Sequence, residues 1–181
     1  MVSLDGFFEG TNHDISWHNV DAEFNDLAIE FLQTIDTLLF GRVTYQLMAG
    51  YWPTAIGKRD DPIIAGHMNR LSKLVVSNSL KKADWENSKL LKGNVVEEIR
   101  KLKQQPGKDI AIFGSANLAK TLIPAGLIDE YRIMVAPVVL GKGRTLFEGL
   151  QNKMNLKLVK TQSFKNGNVL LCYQTQQEAK K

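Results

Sequence analysis

The stretch Thr37-Leu38-Leu39-Phe40-Gly41-Arg42-Val43-Thr44-Tyr45 is an apolar run that halts at a glycine and passes directly into helix-like sequence with Arg and Thr in its first turn. Such a passage reads as a buried strand feeding a helix. A helix N-terminus presents unpaired backbone N–H groups and the positive end of the helix dipole, so the junction suits an anion. Gly41 would let a ligand come close to the backbone, and Arg42 adds a permanent planar charge matched to phosphate. The same residues also fit a plain strand-to-helix turn with a surface arginine, and the rest of the chain has to decide between the two.

Outward from this junction, strand-like and helix-like segments alternate. Val2 to Leu4 reads as the end of a strand before the turn signal Asp5-Gly6, and Val20–Thr34 as a helix. That helix can be capped by Asn19 or Asp21, and Phe24, Leu27, Ala28, Phe31 and Leu32 mark its apolar face. After a strand Thr37–Phe40 come a helix over about Val43–Met48, an irregular loop from Gly50 to Pro62 holding Tyr51 and Trp52, and a helix over Pro62–Asn69 with proline in its first turn. Lys73–Ser77 and Leu90–Leu91 read as strands. Val95–Gln105 reads as a helix with Val95, Val96, Ile99 and Leu102 inward and its charges outward. Ile110–Phe113 is a strand, and Gly114-Ser115-Ala116-Asn117 is a second small-residue turn opening a helix through Leu122. Tyr131–Val139 is a long strand, Gly141–Arg144 a flexible loop, and Leu156–Thr161 with Val169–Gln174 a hairpin across Lys165-Asn166-Gly167. Strands separated by helices predict one α/β domain over residues 1–181: a mainly parallel central sheet, helices on both faces and an antiparallel C-terminal edge.

Composition limits the alternatives. With 181 residues, 44% of them hydrophobic, the chain can bury a sizeable core. Its 23 Lys and Arg against 19 Asp and Glu are scattered and interleaved, which fits a solvated surface better than a nucleic-acid footprint. Cys172 stands alone in the apolar run Val169-Leu170-Leu171-Cys172-Tyr173, so no disulfide framework or cysteine metal site can form and a buried strand thiol is expected. Neither a signal-like N-terminus nor an apolar stretch of membrane-spanning length is present, and the expectation is a cytoplasmic protein without membrane contact.

Gly41 and Gly114 both stand at the carboxyl ends of predicted buried strands, each opening a helix. Ligands of parallel sheets bind outside those ends, so the pair suggests one extended, phosphate-bearing ligand. A third strand end, Val76-Ser77-Asn78-Ser79 with Lys81 and Lys82 nearby, fits either a further phosphate or an ordinary turn.

The ordered set Ser3-Leu4-Asp5-Gly6, Trp17, Gly41-Arg42-Val43-Thr44-Tyr45, Val76-Ser77, Phe113-Gly114-Ser115 and Pro137-Val138-Val139-Leu140-Gly141-Lys142-Gly143 resembles the dihydrofolate reductase-like superfamily. Within it, the chain is similar to the stand-alone relatives of the riboflavin-biosynthesis reductase domain, the RibD C-terminal domain. The resemblance spans nearly the whole chain. It implies a dihydrofolate reductase-like three-layer fold, a homodimer, and NADPH as hydride donor to a small heterocyclic substrate. Carried over by motif, Gly41, Arg42 and Thr44 would meet the phosphates, Ser77 and Asn78 the adenosine ribose and its 2′-phosphate, and Gly114, Ser115, Ala116, Asn117 and Leu118 the pyrophosphate from the other side. Ser3 and Leu4 would offer backbone to the nicotinamide carboxamide, and Gly10 to Trp17 would form a loop over the ring. Asp5, Trp17, Tyr45 and Trp52 would face the substrate, although both tryptophans equally suit core or lid packing.

Two departures from the family matter. The chain starts two residues before Ser3, which shortens the strand that the family places first and leaves either a late start at Met1 or a truncated chain. The carboxylate that dihydrofolate reductases carry on the first helix has two contenders here, Asp21 and Asp26, the former also a helix cap and the latter also a solvated helix acid. If either delivers the proton, desolvation among residues such as Trp17, Phe24 and Tyr45 must raise its pKa. The expected activity is therefore NADPH-dependent reduction of a C=N or C=O bond in a pterin-like or aminopyrimidine-ribose-like compound, as in dihydrofolate reductase or 5-amino-6-(5-phosphoribosylamino)uracil reductase. The alternative is a non-catalytic dinucleotide-binding module that kept the cleft and lost its proton donor. The strand Tyr131–Val139 and Ala136-Pro137-Val138-Val139-Leu140 offer an apolar edge for a twofold contact.

Overall fold

The computed structural model describes residues 1–176. The chain runs β1 (Val2–Ser3), β2 (Phe7–Glu9), a 3-10 turn at Thr11–His13, α1 (Ala22–Thr34), β3 (Ile35–Gly41), α2 (Arg42–Ala49), α3 (Ala55–Asp60), α4 (Pro62–Arg70), β4 (Ser72–Val76) and β5 (Ser88–Leu91). It continues through α5 (Val95–Lys103), β6 (Asp109–Ile112), α6 (Ala116–Leu122), β7 (Glu130–Ala136), β8 (Arg144–Thr145), β9 (Leu156–Ser163) and β10 (Val169–Thr175). Two compact units result among the described residues, Phe24–Thr121 and Met1–Glu23 with residues 122–176.

In the Phe24–Thr121 unit the strands lie in the order β5-β4-β3-β6, all parallel. The opening motif sits at the centre: Leu38, Leu39 and Phe40 of β3 are almost fully buried, as expected of a strand covered on both faces. Leu32, Ile35, Phe40, Tyr45, Met68, Val75 and Trp85 form its core, each large apolar side chain contributing about 1.5–3 kcal/mol when fully buried. α5 buries Ile99 and pairs Glu97 with Arg100 and Glu98 with Lys101 on its outer face, as its period predicts.

The segment expected to be an irregular loop from Gly50 to Pro62 instead contains α3. Thr54 caps it by accepting the Gly57 N–H, and Gly57 packs so closely that a Cβ would come within 2.5 Å of the Tyr51 carbonyl oxygen. Asp61 then caps α4 by accepting the Ile64 N–H, with Pro62 in the first turn.

In the other unit the order is β1-β7-β10-β9, with β1 parallel to β7 and the remaining pairs antiparallel. β2 pairs separately with β8. Thus the α/β reading, parallel sheet and antiparallel C-terminal strands are all present. β7 ends at Ala136 because Pro137 has no N–H to continue the ladder, so the expected extension to Val139 does not form. The edge assignment also changes: β7 is flanked on both sides, Val139 is 67% exposed, and the outer strand is β9, where Leu158 and Val159 are exposed. β9 and β10 form the predicted hairpin, Ser163 opposite Val169, and its turn uses Gly167 at φ +87. Cys172 is buried in β10, and burial pushes its thiol up. No helix among the described residues is long and apolar enough to cross a membrane.

Candidate functional site

Because β3 and β6 are neighbours, with Leu38 opposite Ala111 and Leu39 opposite Ile112, their carboxyl ends lie side by side. Ser115 joins them. Its Oγ accepts the Gly41 N–H at 3.0 Å and donates to the Phe113 carbonyl at 3.1 Å, while its own N–H donates to Thr44 Oγ1 at 3.2 Å. Gly114 and Ser115 are consecutive left-handed residues, φ +55 and +53. Glycine takes that conformation freely, whereas for serine it costs about 1 kcal/mol. The Ser115 carbonyl accepts the Leu118 and Ala119 N–H groups and so starts α6.

Gly41 takes part in the same bridge. Its φ is −76, its N–H is given to Ser115, and a Cβ would meet Ser115 Oγ at an ordinary 3.6 Å, so the conformation itself does not require glycine. What the junction offers an anion is the first turn of α2, which no side chain caps, and Arg42, which is exposed and donates to Gln46 Oε1 at 2.9 Å. At the end of β4, Ser77 is buried and its Oγ accepts the Leu80 N–H at 3.0 Å, an ST turn, leaving Asn78 and Ser79 as the exposed pair. Ala116 and Leu118 are buried, so a ligand could meet only their backbone, and Asn117 is exposed.

Of the expected substrate contacts in this unit, Tyr45 belongs to the core and its hydroxyl accepts the Trp85 N–H at 2.9 Å. Trp52 packs against that core, edge-on to Tyr51, with Nε1 pointed at Met48 Sδ. Both are held as packing residues. Asp26 is exposed on α1.

In the other unit, Ser3 is buried, its hydroxyl donating to Asp5 at 2.6 Å and accepting the Phe7 N–H. Leu4 is exposed and its N–H is given to the Val138 carbonyl, so of its backbone polar groups only the carbonyl could turn to a carboxamide. Asp5 works as a clamp: its carboxylate also accepts the Leu140 and Gly141 N–H groups, at 3.1 and 2.7 Å. The Ser3 hydroxyl, ahead of those backbone donors, holds its pKa at about 2. Trp17 donates to the Asp14 carbonyl and stands edge-on to His18, whose pKa burial pushes down to about 4. Asn19 does not cap α1; its amide donates to the Asn166 carbonyl at 2.8 Å, and Asp21 is the residue that immediately precedes the helix. Within the Gly10 to Trp17 loop, Asn12 and His13 are left-handed, and His13 Nδ1 lies 3.0 Å from Glu9, which also receives Arg144 at 2.7 Å.

Lys73, Asn69 and Trp85, none of them singled out by motif, meet beside Tyr45 of α2: Lys73 Nζ donates to the Asn69 carbonyl, and Trp85 donates to Asn69 Oδ1 and to the Tyr45 hydroxyl. The signal was present as phase: Lys73, Val75 and Ser77 alternate along β4 and are all buried, so the lysine is in register with an inward face.

Parallel strands whose carboxyl ends open into helices define an α/β protein. Residues 1–170 match the RibD C-terminal domain family, and the chain belongs to it. It is 38% identical over 176 residues to the uncharacterized protein YyaP of Bacillus subtilis (strain 168), covering 95% of this chain and 90% of that one. Among solved structures it is similar to a candidate riboflavin biosynthesis protein from Shewanella sp. PV-4, with TM-score 0.74 and 22% identity over 97% and 96% of the two chains. It is likewise similar to the dihydrofolate reductase of Enterococcus faecalis complexed with NADP(H), with TM-score 0.63 and 20% identity over 97% and 93%. The fold is dihydrofolate reductase-like.

Proposed function

We propose that this protein binds NADPH and reduces a C=N or C=O bond in a pterin-like heterocycle or in an aminopyrimidine carrying ribose. The observation that carries the reading is the Ser115 bridge, which locks two adjacent strand ends and leaves the first turn of α2 and the Arg42 guanidinium facing outward. Arg42 and the α2 N–H groups suit phosphate oxygens, and the exposed Asn78 and Ser79 beside buried Ser77 suit the 2′-phosphate that separates NADPH from NADH. The left-handed Gly114-Ser115 turn presents backbone from the other side. The reduced nicotinamide would supply hydride; the chain's residues would hold it and exclude water. Family membership and the dihydrofolate reductase-like fold support a reductase.

A second reading, a dinucleotide-binding module without turnover, is favoured by one specific observation: Asp5 is bound by the Ser3 hydroxyl and by the Leu140 and Gly141 N–H groups, which hold it ionised and so unavailable as a proton donor. Calorimetric titration with NADPH followed by loss of nicotinamide absorbance against dihydropterins and aminopyrimidine ribosides separates the readings. Saturable oxidation establishes the reductase, binding without oxidation the module, and no binding removes both.

A further inference from the structure

Lys73 is fully buried, a place lysine almost never takes unless its charge is met. From β4 its Nζ reaches back to the end of α4, donating to the Asn69 carbonyl at 3.0 Å and the Leu71 carbonyl at 2.6 Å, where the helix dipole favours a cation. The same Nζ lies 4.6 Å from the centre of the Trp85 ring. Asn87 completes the knot: its amide donates to the Asn69 and Arg70 carbonyls, and its own carbonyl accepts the Lys73 N–H.

Trp85 is what this knot holds. Its Nε1 donates to Asn69 Oδ1 at 2.7 Å, its backbone N–H donates to the Tyr45 hydroxyl, and its ring stacks on Phe40 at 6.3 Å between centroids. Phe40 is the residue before Gly41, and Tyr45 is in the first turns of α2. We propose that Lys73 is a positioning residue for the anion corner, fixing the start of α2 through Trp85.

Burial lowers the Lys73 pKa to about 8, with Glu86 opposing that shift. Around it α4 presents the Asn69 carbonyl and the residue after it the Leu71 carbonyl, the segment before β5 presents Trp85, Glu86 and Asn87, and α2 presents the Tyr45 hydroxyl through Trp85. Protonated at neutral pH, the ammonium grips the π face; deprotonated above pH 8, it loses that attraction and the corner loosens.

The consequence for ligand rests on the NADPH reading, so the test has a ligand-free arm. Backbone 15N resonances of Arg42 and Ser115 are followed by carbon-detected NMR from pH 7 to about 9.5, beside NADPH titrations, for wild type, Lys73→Met and Trp85→Leu. In wild type the amides should shift with a common midpoint and NADPH affinity should fall about fivefold over the range; both profiles should be flat in Lys73→Met, with affinity already reduced by about that factor at pH 7. Should Lys73→Met not fold, Trp85→Leu, which removes the π face, must flatten the profile instead. Amides in wild type that do not titrate, or a Lys73→Met protein that keeps the wild-type profile, would overturn the inference. Titrating amides in a protein that binds no NADPH would leave Lys73 as the positioning residue and overturn the cofactor reading.

Discussion

Replacing Ser115 tests the corner most directly, because alanine and glycine there separate its hydrogen bonds from its backbone conformation. Ser115→Ala leaves the Gly41 N–H without its acceptor and the Phe113 carbonyl without its donor, at a residue only 9% exposed. Each buried group so orphaned costs about 1–3 kcal/mol, and since the two share one hydroxyl and partial access to water, the expected loss is about 2–3 kcal/mol. Ser115→Gly removes the same bonds but releases the left-handed strain of a residue at φ +53, about 1 kcal/mol, partly offset by the greater freedom of glycine in the unfolded chain. The glycine variant should therefore be more stable than the alanine variant by about 0.5–1 kcal/mol, the reverse of the usual order. Urea unfolding with an unchanged m-value measures both differences. An alanine variant within about 0.5 kcal/mol of wild type would show that the bridge contributes nothing. An alanine variant more stable than the glycine one would refute the left-handed assignment.

Gly41→Ala should fold with equal or slightly higher stability, by about 0.4–1 kcal/mol, and should keep NADPH binding, because φ is −76 and the new Cβ meets Ser115 at an ordinary distance; abolished binding would mean that a ligand occupies that space. Arg42→Ala should weaken NADPH and NADH alike, by about tenfold, because it is assigned to phosphates both cofactors carry, with little change in thermal stability because the guanidinium is exposed; unchanged affinity for both would remove Arg42 from the site. For His18, burial lowers the folded pKa to about 4 from 6.5, so the unfolded chain binds more protons between those values. Stability from this group is complete above pH 6.5 and is lost progressively as pH falls to about 4, and His18→Gln should remove that part of the melting-temperature profile.

Where burial on both faces forces a continuous apolar run, the fold was readable: β3, its glycine stop and the helix after it stand where Thr37 to Tyr45 placed them. α5 was equally plain, since Ile99 and its flanking charges keep one helical period. α3 was hidden because its six residues include Gly57 and the charged run Lys58-Arg59-Asp60, which read as loop until packing of Gly57 against Tyr51 and the Thr54 cap are seen. The site was legible as small residues at strand ends but not as the Ser115 bridge, since a hydrogen bond across 74 positions leaves no local signature. Asp21 and Asp26 could not be ranked from spacing because exposure is not written in the local sequence, and the setting of Lys73 within its predicted strand was hidden because its partners are carbonyls from outside that strand.

The serine at position 115 carries the strongest argument that the corner is built for alignment. A turn that had only to reverse direction into α6 would be more stable with glycine or asparagine in the left-handed position. Serine costs about 1 kcal/mol there, and what offsets it is the pair of bonds from its hydroxyl, one within its own turn and one to the neighbouring strand end. Strain of this kind persists where surrounding bonds over-determine it. The structural result is a fixed distance between the end of β6 and the uncapped first turn of α2, with Thr44 adding a third bond across the same gap. A sheet needs no such tie for stability, because β3 and β6 are already joined by their ladder. On the proposed NADPH reading the tie has a use, since phosphates met by both turns at once would lose affinity if misalignment divided the binding into two weaker contacts.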